Sequence, residues 1–277
     1  MSGRAEAALR DAARALAPEL GERLAAVRAR IAAAARRAGR APDEVRLVAV
    51  SKRQPLERIA AAVLAGARDL GENYVQEARD KRDAVLAAVA GDAPPPRWHL
   101  IGPLQRNKAA AAVALFDTVE TVDRAALADE LARRAAAAGR VLPVLLQVNV
   151  DGDDRKSGVA PEGAEALLAA CARHGALRIE GLMTIPRAAG PDAARAAFAR
   201  LRALRDRLRS APGGAGLREL SMGMSGDFEI AVEEGATSVR VGTAIFGERE
   251  DAPRPAPGGS DGDASGGPGA ASDGGRT

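Results

Sequence analysis

Eight short apolar runs rich in Val, Leu and Ile recur between residues 45 and 242, and an alanine-rich stretch follows all but the last. No other feature constrains the fold as strongly. The runs predict strands at 45–51, 69–72, 97–101, 117–121, 142–149, 178–184, 219–222 and 238–242. Helical stretches are expected at about 55–67, 74–89, 105–114, 123–138, 161–174, 190–210 and 227–234. A parallel neighbour is reached only through a crossover, so strict alternation calls for a parallel sheet wrapped by helices. Eight units predict the α/β class as a single closed (β/α)₈ barrel, a fold that routinely reaches the 277 residues of this chain. The competing arrangement is an open doubly wound sheet, but no G-x-G-x-x-G follows the first strand.

The flanks differ from this pattern. Residues 1–40 read as an extra N-terminal helix packing on the barrel, with Leu16, Leu20, Leu24, Val27 and Ile31 at three- and four-residue spacing. Gly39 fits its C-terminal cap and Pro42 its stop, and the first dozen residues are expected to fray. The barrel domain is assigned to 41–250. Residues 251–277 are Gly, Pro, Ser and Asp with no large apolar side chain, the composition of a disordered tail.

Composition narrows the function. Hydrophobic residues make up 47% and aromatics only 2%, so the core must be built from Ala, Val, Leu and Ile. Net charge is +3, with signs mixed along the chain and no basic stripe carrying stacking aromatics, which argues against nucleic acid. A single cysteine, Cys171, rules out an intrachain disulfide and suits a reducing compartment. No leader pattern opens the chain and no apolar run reaches membrane-spanning length, so a soluble cytoplasmic protein is expected. Two scattered His and one Cys offer no metal-ligand spacing.

Barrel sites lie at the C-terminal ends of the strands, with phosphate often held after strands seven and eight. The scarce residue types collect there. Strand one ends in Ser51-Lys52, one of four lysines against thirty-six arginines. Unlike Arg, a desolvated Lys can lose its proton and attack a carbonyl; a surface lysine with a buried stem is the competing reading. Strand two ends in Glu72-Asn73-Tyr74, with the only Tyr, and strand three in Trp98-His99, with the only Trp. After strand seven, Ser221 to Gly226 is a small-residue turn opening a helix, and Gly242-Thr243 follows strand eight. Together they resemble a phosphate cup, although either alone reads equally as a capped turn. Arg240 shares a face with Gly242, and period two points it into the barrel, where it needs a partner. Lys108 and Lys156 fall at strand-to-helix connections and are candidates for anions, whereas Lys81 lies mid-helix and is expected to be solvated.

An imine-forming Lys, a phosphate cup and an interior Arg match the aldehyde, phosphate and pyridine nitrogen of pyridoxal 5′-phosphate (PLP). The strings AVSK, GENYVQE, WHLIGPLQRNK, KSG, GLMTIP, ELSMGMSGDFEIAVEEG and VRVGTAIFG resemble the pyridoxal phosphate homeostasis protein family, itself similar to the barrel domain of alanine racemases. The resemblance runs from about Arg46 to Gly247 and implies PLP bound as an internal aldimine on Lys52. By position it implies a phosphate region of Ser221, Met224, Ser225, Gly242 and Thr243. Arg240 would face the pyridine nitrogen and Asn73 would lie near the ring.

An Arg at that nitrogen disfavours its protonation and weakens the ring as an electron sink. Alanine racemases compensate with a second acid–base group, a Tyr brought by a second, β-rich domain across a dimer. Nothing after Gly247 reads as such a domain, and Tyr74 and His99 are the available substitutes. The expectation is therefore a PLP-binding protein without turnover and without catalytic residues. It would be a monomer that stores PLP or passes it to apo-PLP enzymes. A PLP-dependent racemase or lyase is the alternative, and a phosphate-metabolite barrel without PLP a third reading.

Overall fold

In the computed structural model, which describes residues 3–153, 157–187 and 190–247, the alternation closes into a barrel. Its parallel strands are β1 (Arg46–Val50), β2 (Asp69–Glu72), β3 (Arg97–Leu100), β4 (Thr118–Val122), β5 (Leu142–Gln147), β6 (Leu177–Met183), β7 (Glu219–Ser221) and β8 (Ser238–Val241). β8 pairs with β1, Val48 opposite Arg240, and this seam closes the sheet. The helices are α1 (Gly3–Arg37), α2 (Leu56–Leu64), α3 (Val75–Val89), α4 (Ala109–Leu115), α5 (Ala125–Ala137), α6 (Ala164–Ala172), α7 (Pro191–Leu208), α8 (Phe228–Glu233) and α9 (Thr243–Phe246). The predicted strands and the closed barrel are observed; the open sheet is not. Two expected helices begin instead with 3₁₀ turns, at Arg106–Lys108 and Pro161–Gly163. α9 was not legible because four residues are too few to show a helical period. The predicted tail, 251–277, lies outside the described residues.

α1 packs against α2 and α8 on an apolar stripe in which Leu20, Leu24, Val27 and Ile31 are buried. It ends where Gly39 takes φ +67° and the Arg40 N–H reaches the Ala35 carbonyl at 2.9 Å. Arg30 grips Glu229 with two bonds of 2.9 and 2.8 Å, and Arg37 meets Glu233 at 2.8 Å. These pairs are exposed and contribute little, so the stripe holds the helix. No described helix is long and apolar enough to cross a membrane.

The outward strand residues are apolar: Leu47, Ala49, Leu70, Trp98, Leu100, Val119, Leu220, Val239 and Val241 pack beneath the helices. The inward ones are not. His99 is buried with Nε2 2.9 Å from Asp69 Oδ1 and Nδ1 2.8 Å from Glu120 Oε1. Glu120 Oε2 accepts from the Ser221 hydroxyl at 2.5 Å, and Ser221 Oγ accepts from Arg240 Nη1 at 2.6 Å. Arg240 Nη2 donates to the Thr184 carbonyl at 2.7 Å. A chain of charged hydrogen bonds thus crosses the barrel from β2 to β8.

Both ring nitrogens of His99 face carboxylates, a geometry that an imidazolium satisfies with two donors. Burial opposes that charge, but the bonds to Asp69 and Glu120 and their negative charges outweigh it and hold the ring up to about 9. In turn, His99 pulls both carboxyls below their usual range against the effect of burial. Because the folded imidazole titrates above its unfolded value, its contribution is complete below about pH 6.5 and is lost as pH rises through about 9. Urea titrations should show the wild type losing on the order of 3 kcal/mol more than His99→Gln between pH 6 and 10. Parallel slopes would refute a charged His99. Leu24→Ala, which empties part of the α1 stripe, should cost about 2–5 kcal/mol in the same assay.

Candidate functional site

The β1–β8 seam builds the centre of the site. Val48 lies opposite Arg240 and Ala49 opposite Val241, so Lys52 and Gly242-Thr243 leave neighbouring strands at one rim. A Cβ on Gly242 would come 3.5 Å from both Val50 Cβ and the Val50 carbonyl oxygen, close but ordinary contact. On the other side of β1, Val50 is opposite Gly71, which places Asn73 level with Lys52. Asn73 lines a cavity at the mouth with Ile101, Gly102, Pro103, Gln147 and Ser157. Gly102 is needed there, because a Cβ would stand 2.2 Å from the Asn73 carbonyl oxygen.

The turn from β7 to α8 depends on Gly223, whose φ is +93° and where a Cβ would strike Ala231 at 2.5 Å. Ser225 then reaches across to β8: its Oγ accepts the Gly242 N–H at 3.3 Å and joins the two turns. The start of α9 leaves the Thr243 and Ala244 N–H groups without an intrahelical acceptor. Met224 has an exposed side chain, and its N–H is held by Asp227 Oδ1 at 2.6 Å. Ser221 differs from the other members of the expected phosphate region. It is fully buried, donates its only hydroxyl proton to Glu120 and accepts from Arg240. The structure therefore brings Ser225, Gly242 and Thr243 together at the rim and joins Ser221 to Arg240 below them.

Arg240 is buried, and its partners are Ser221 Oγ and the Thr184 carbonyl, with Glu120 next along the chain. Burial pulls its pKa down, opposed by the charges of Glu120 and Asp227, and a guanidinium stays protonated throughout the ordinary range. At the mouth, Gln147 Oε1 and Asn149 Oδ1 are buried with no partner among the described residues. These orphan acceptors, the helix-start N–H groups, Thr243, the fixed cation and the adjacent lysine suit a small, phosphorylated aromatic ligand.

Three expectations about other residues meet the structure differently. Lys81, expected to be solvated, is buried on α3. Its Nζ donates to the Ser51 carbonyl at 2.8 Å, Glu77 Oε1 at 2.6 Å and Glu72 Oε1 at 3.3 Å. Helical spacing alone did not reveal that the rim of β1 and β2 supplies acceptors there. His99 is enclosed by two carboxylates and is no candidate for a second acid–base group. Lys108 is exposed in a 3₁₀ turn, and Lys156 lies outside the described residues. Glu72 was missed as well: it is fully buried, accepts from Ser51 Oγ at 2.7 Å, and burial pushes its carboxyl up to about 7 against the pull of Lys81. The available signal was an acid at the outward position of β2, on the same face as Leu70. Cys171 is buried, which pushes its thiol up to about 12 and leaves it unreactive.

Residues 23–250 match the family described as alanine racemase, N-terminal domain. The pyridoxal phosphate homeostasis protein of Pseudomonas aeruginosa is 47% identical over 232 residues, covering 83% of this chain and 96% of that protein. The Escherichia coli K12 protein of the same name is 41% identical over 240 residues, covering 84% of this chain and 97% of its own length. Among solved structures, Synechococcus elongatus PipY with PLP bound is 40% identical, with a TM-score of 0.71, over 82% of this chain and all of that one. With identity at this level along nearly the whole length of these relatives, the chain belongs to the pyridoxal phosphate homeostasis protein family.

Proposed function

We propose that this protein binds PLP as an internal aldimine on Lys52 and serves in PLP homeostasis without catalytic turnover. The observation that carries this reading is the β1–β8 seam, which sets Lys52, Gly242-Thr243 and Arg240 on adjacent strands. The PLP carried by PipY, a relative with 40% identity, supports the choice of cofactor. Condensation of the Lys52 amine with the cofactor aldehyde expels one water and fixes the ring at the mouth. Thr243 and the helix-start N–H groups then hold the phosphate, Ser225 keeps the two turns together, and Asn73 lies beside the ring.

When bound, PLP supplies an electron sink only as far as its pyridine nitrogen is protonated. Arg240 is a cation held by Ser221 and Thr184, so it offers that nitrogen a donor and no acidic proton. His99 is occupied by Asp69 and Glu120, and Tyr74 is 51% exposed at the start of α3. These placements favour holding the cofactor over proton transfer on a bound amino acid. Release to apo-PLP enzymes follows as the use of such a store, and a monomer suffices for it.

Borohydride reduction of the PLP-loaded protein should fix one pyridoxyl group on the peptide carrying Lys52, and Lys52→Ala should lose both this adduct and the aldimine absorbance. An equally stable aldimine in Lys52→Ala would refute the assignment. Incubated in deuterated water with amino acids, the loaded protein should leave the α-hydrogen in place on the timescale of the free-PLP control. Exchange well above that control would establish the racemase or lyase reading.

A further inference from the structure

Lys52 is flanked by two peptide groups, one held by the buried Lys81 and the other by the half-buried Glu77. The Ser51 carbonyl accepts from Lys81 Nζ at 2.8 Å and from the Gln54 N–H at 3.1 Å. The Arg53 N–H is donated to Glu77 Oε1, the same oxygen that receives Lys81 Nζ at 2.6 Å. Glu72 completes the set, accepting from Lys81 at 3.3 Å and from the Ser51 hydroxyl at 2.7 Å. Lys81 therefore has three acceptors for its three N–H bonds, and two of them lead directly to the backbone on either side of Lys52.

The local backbone is one that needs holding. Arg53 has φ +58° and is the single non-glycine residue at positive φ among the described residues. A left-handed conformation costs an L-residue on the order of 1 kcal/mol, and here the Glu77 bond to its N–H offsets that cost. A lysine at position 81 also fits the geometry. An ammonium sends three donors outward from one point, whereas a guanidinium is a flat fork, and this otherwise arginine-rich chain uses Lys here. Glu72 adds a further sign of purpose: it is fully buried, and its Oε2 has no partner among the described residues. A carboxyl kept in that state is expensive for a scaffold alone.

We propose that Lys81, acting through Glu77 and supported by Glu72, is a positioning residue that fixes both peptide planes around Lys52 and so aims its amine at the cofactor aldehyde. This rests on Lys52 as the PLP-bearing residue. Lys81 touches neither cofactor nor reacting atoms; it removes the backbone freedom that would let the amine wander from its approach.

Lys81→Met and Glu77→Ala in the full chain test this with three measurements. The first is amide hydrogen exchange at Arg53 in the ligand-free protein. The second is the rate at which added PLP gives a borohydride-fixed adduct on Lys52. The third is affinity for 4′-deoxypyridoxine 5′-phosphate, which has the ring and phosphate but no aldehyde. In both variants Arg53 exchange should rise about tenfold or more, and adduct formation should slow by a similar factor. Affinity for the deoxy compound should stay within about twofold, which a general loosening of the site would not allow. Adduct formation at the wild-type rate, or a matching loss of affinity for the deoxy compound, would overturn the proposal. If Lys81→Met does not fold, Glu77→Ala decides, since Glu77 lies on the first turn of α3 and half faces solvent. A wild-type protein with no adduct on Lys52 would instead sink the PLP reading, and Arg53 exchange, read without ligand, would still decide whether the clamp exists.

Discussion

A buried imidazolium between two carboxylates is the interaction around which this barrel is arranged. His99 needs Asp69 from β2 and Glu120 from β4 at once, and Glu120 then has one oxygen left for Ser221 on β7. Ser221 carries the chain to Arg240 on β8, which ends it on the Thr184 carbonyl after β6. Strands far apart in sequence are thus tied through the centre of the sheet by groups that are costly to separate. Removing one partner from such a buried set typically costs about 3–5 kcal/mol, because the others lose their compensation. An apolar filling would give a core of comparable stability. It would not leave a cation of fixed position beneath the mouth, and this one does.

Period two along each strand divides the work. In β1 and the residue after it, Val48 and Val50 share the inward face, while Ser51 turns outward to Glu72 and α3. In β2, Asp69 points in to His99 and Glu72 points out to Ser51 and Lys81. β2 therefore serves the interior network with one face and the rim clamp with the other, and β1 adds Ser51 to the clamp. A one-residue slip in register would exchange the two roles and bury each charge against the wrong layer.

Much of this was legible in the sequence because the signals were local. Valine-rich runs mark strands, alanine-rich spacers mark helices, and scarce residues at strand ends mark the rim. Arg240 could be placed inside from its position relative to Gly242 alone. The partners could not, because Glu120 meets His99 and Ser221 only once the barrel has closed in its particular register. Lys81 shows the same limit from the helix side. Its immediate neighbours Asp80 and Arg82 are charged, which suggests solvent, although its spacing from Ala78 and Val85 sets it on the buried stripe, and the β1–β2 rim supplies the acceptors that let it stay there. α9 was hidden for a different reason, its length.

In the proposed role of a cofactor store, the two networks would answer different requirements. A carrier has to accept an aldehyde readily and then refrain from activating what the aldehyde binds. The first requirement concerns the geometry of one amine, and with Lys52 as the proposed amine, the held peptide planes on either side of it would meet that requirement without any group touching the reacting atoms. The second concerns the electronics of the ring, and there the proposed partner of the nitrogen matters more than its surroundings. Arg240 cannot give up a proton at ordinary pH, and its bonds to Ser221 and Thr184 keep it from moving aside for an acid. An apolar residue at that place would leave the nitrogen free to protonate from solvent. A carboxylate would promote protonation. Of the three, a buried arginine is the one that would both occupy the nitrogen and keep it neutral, and Arg240 needs the His99–Glu120 chain behind it to be buried at all.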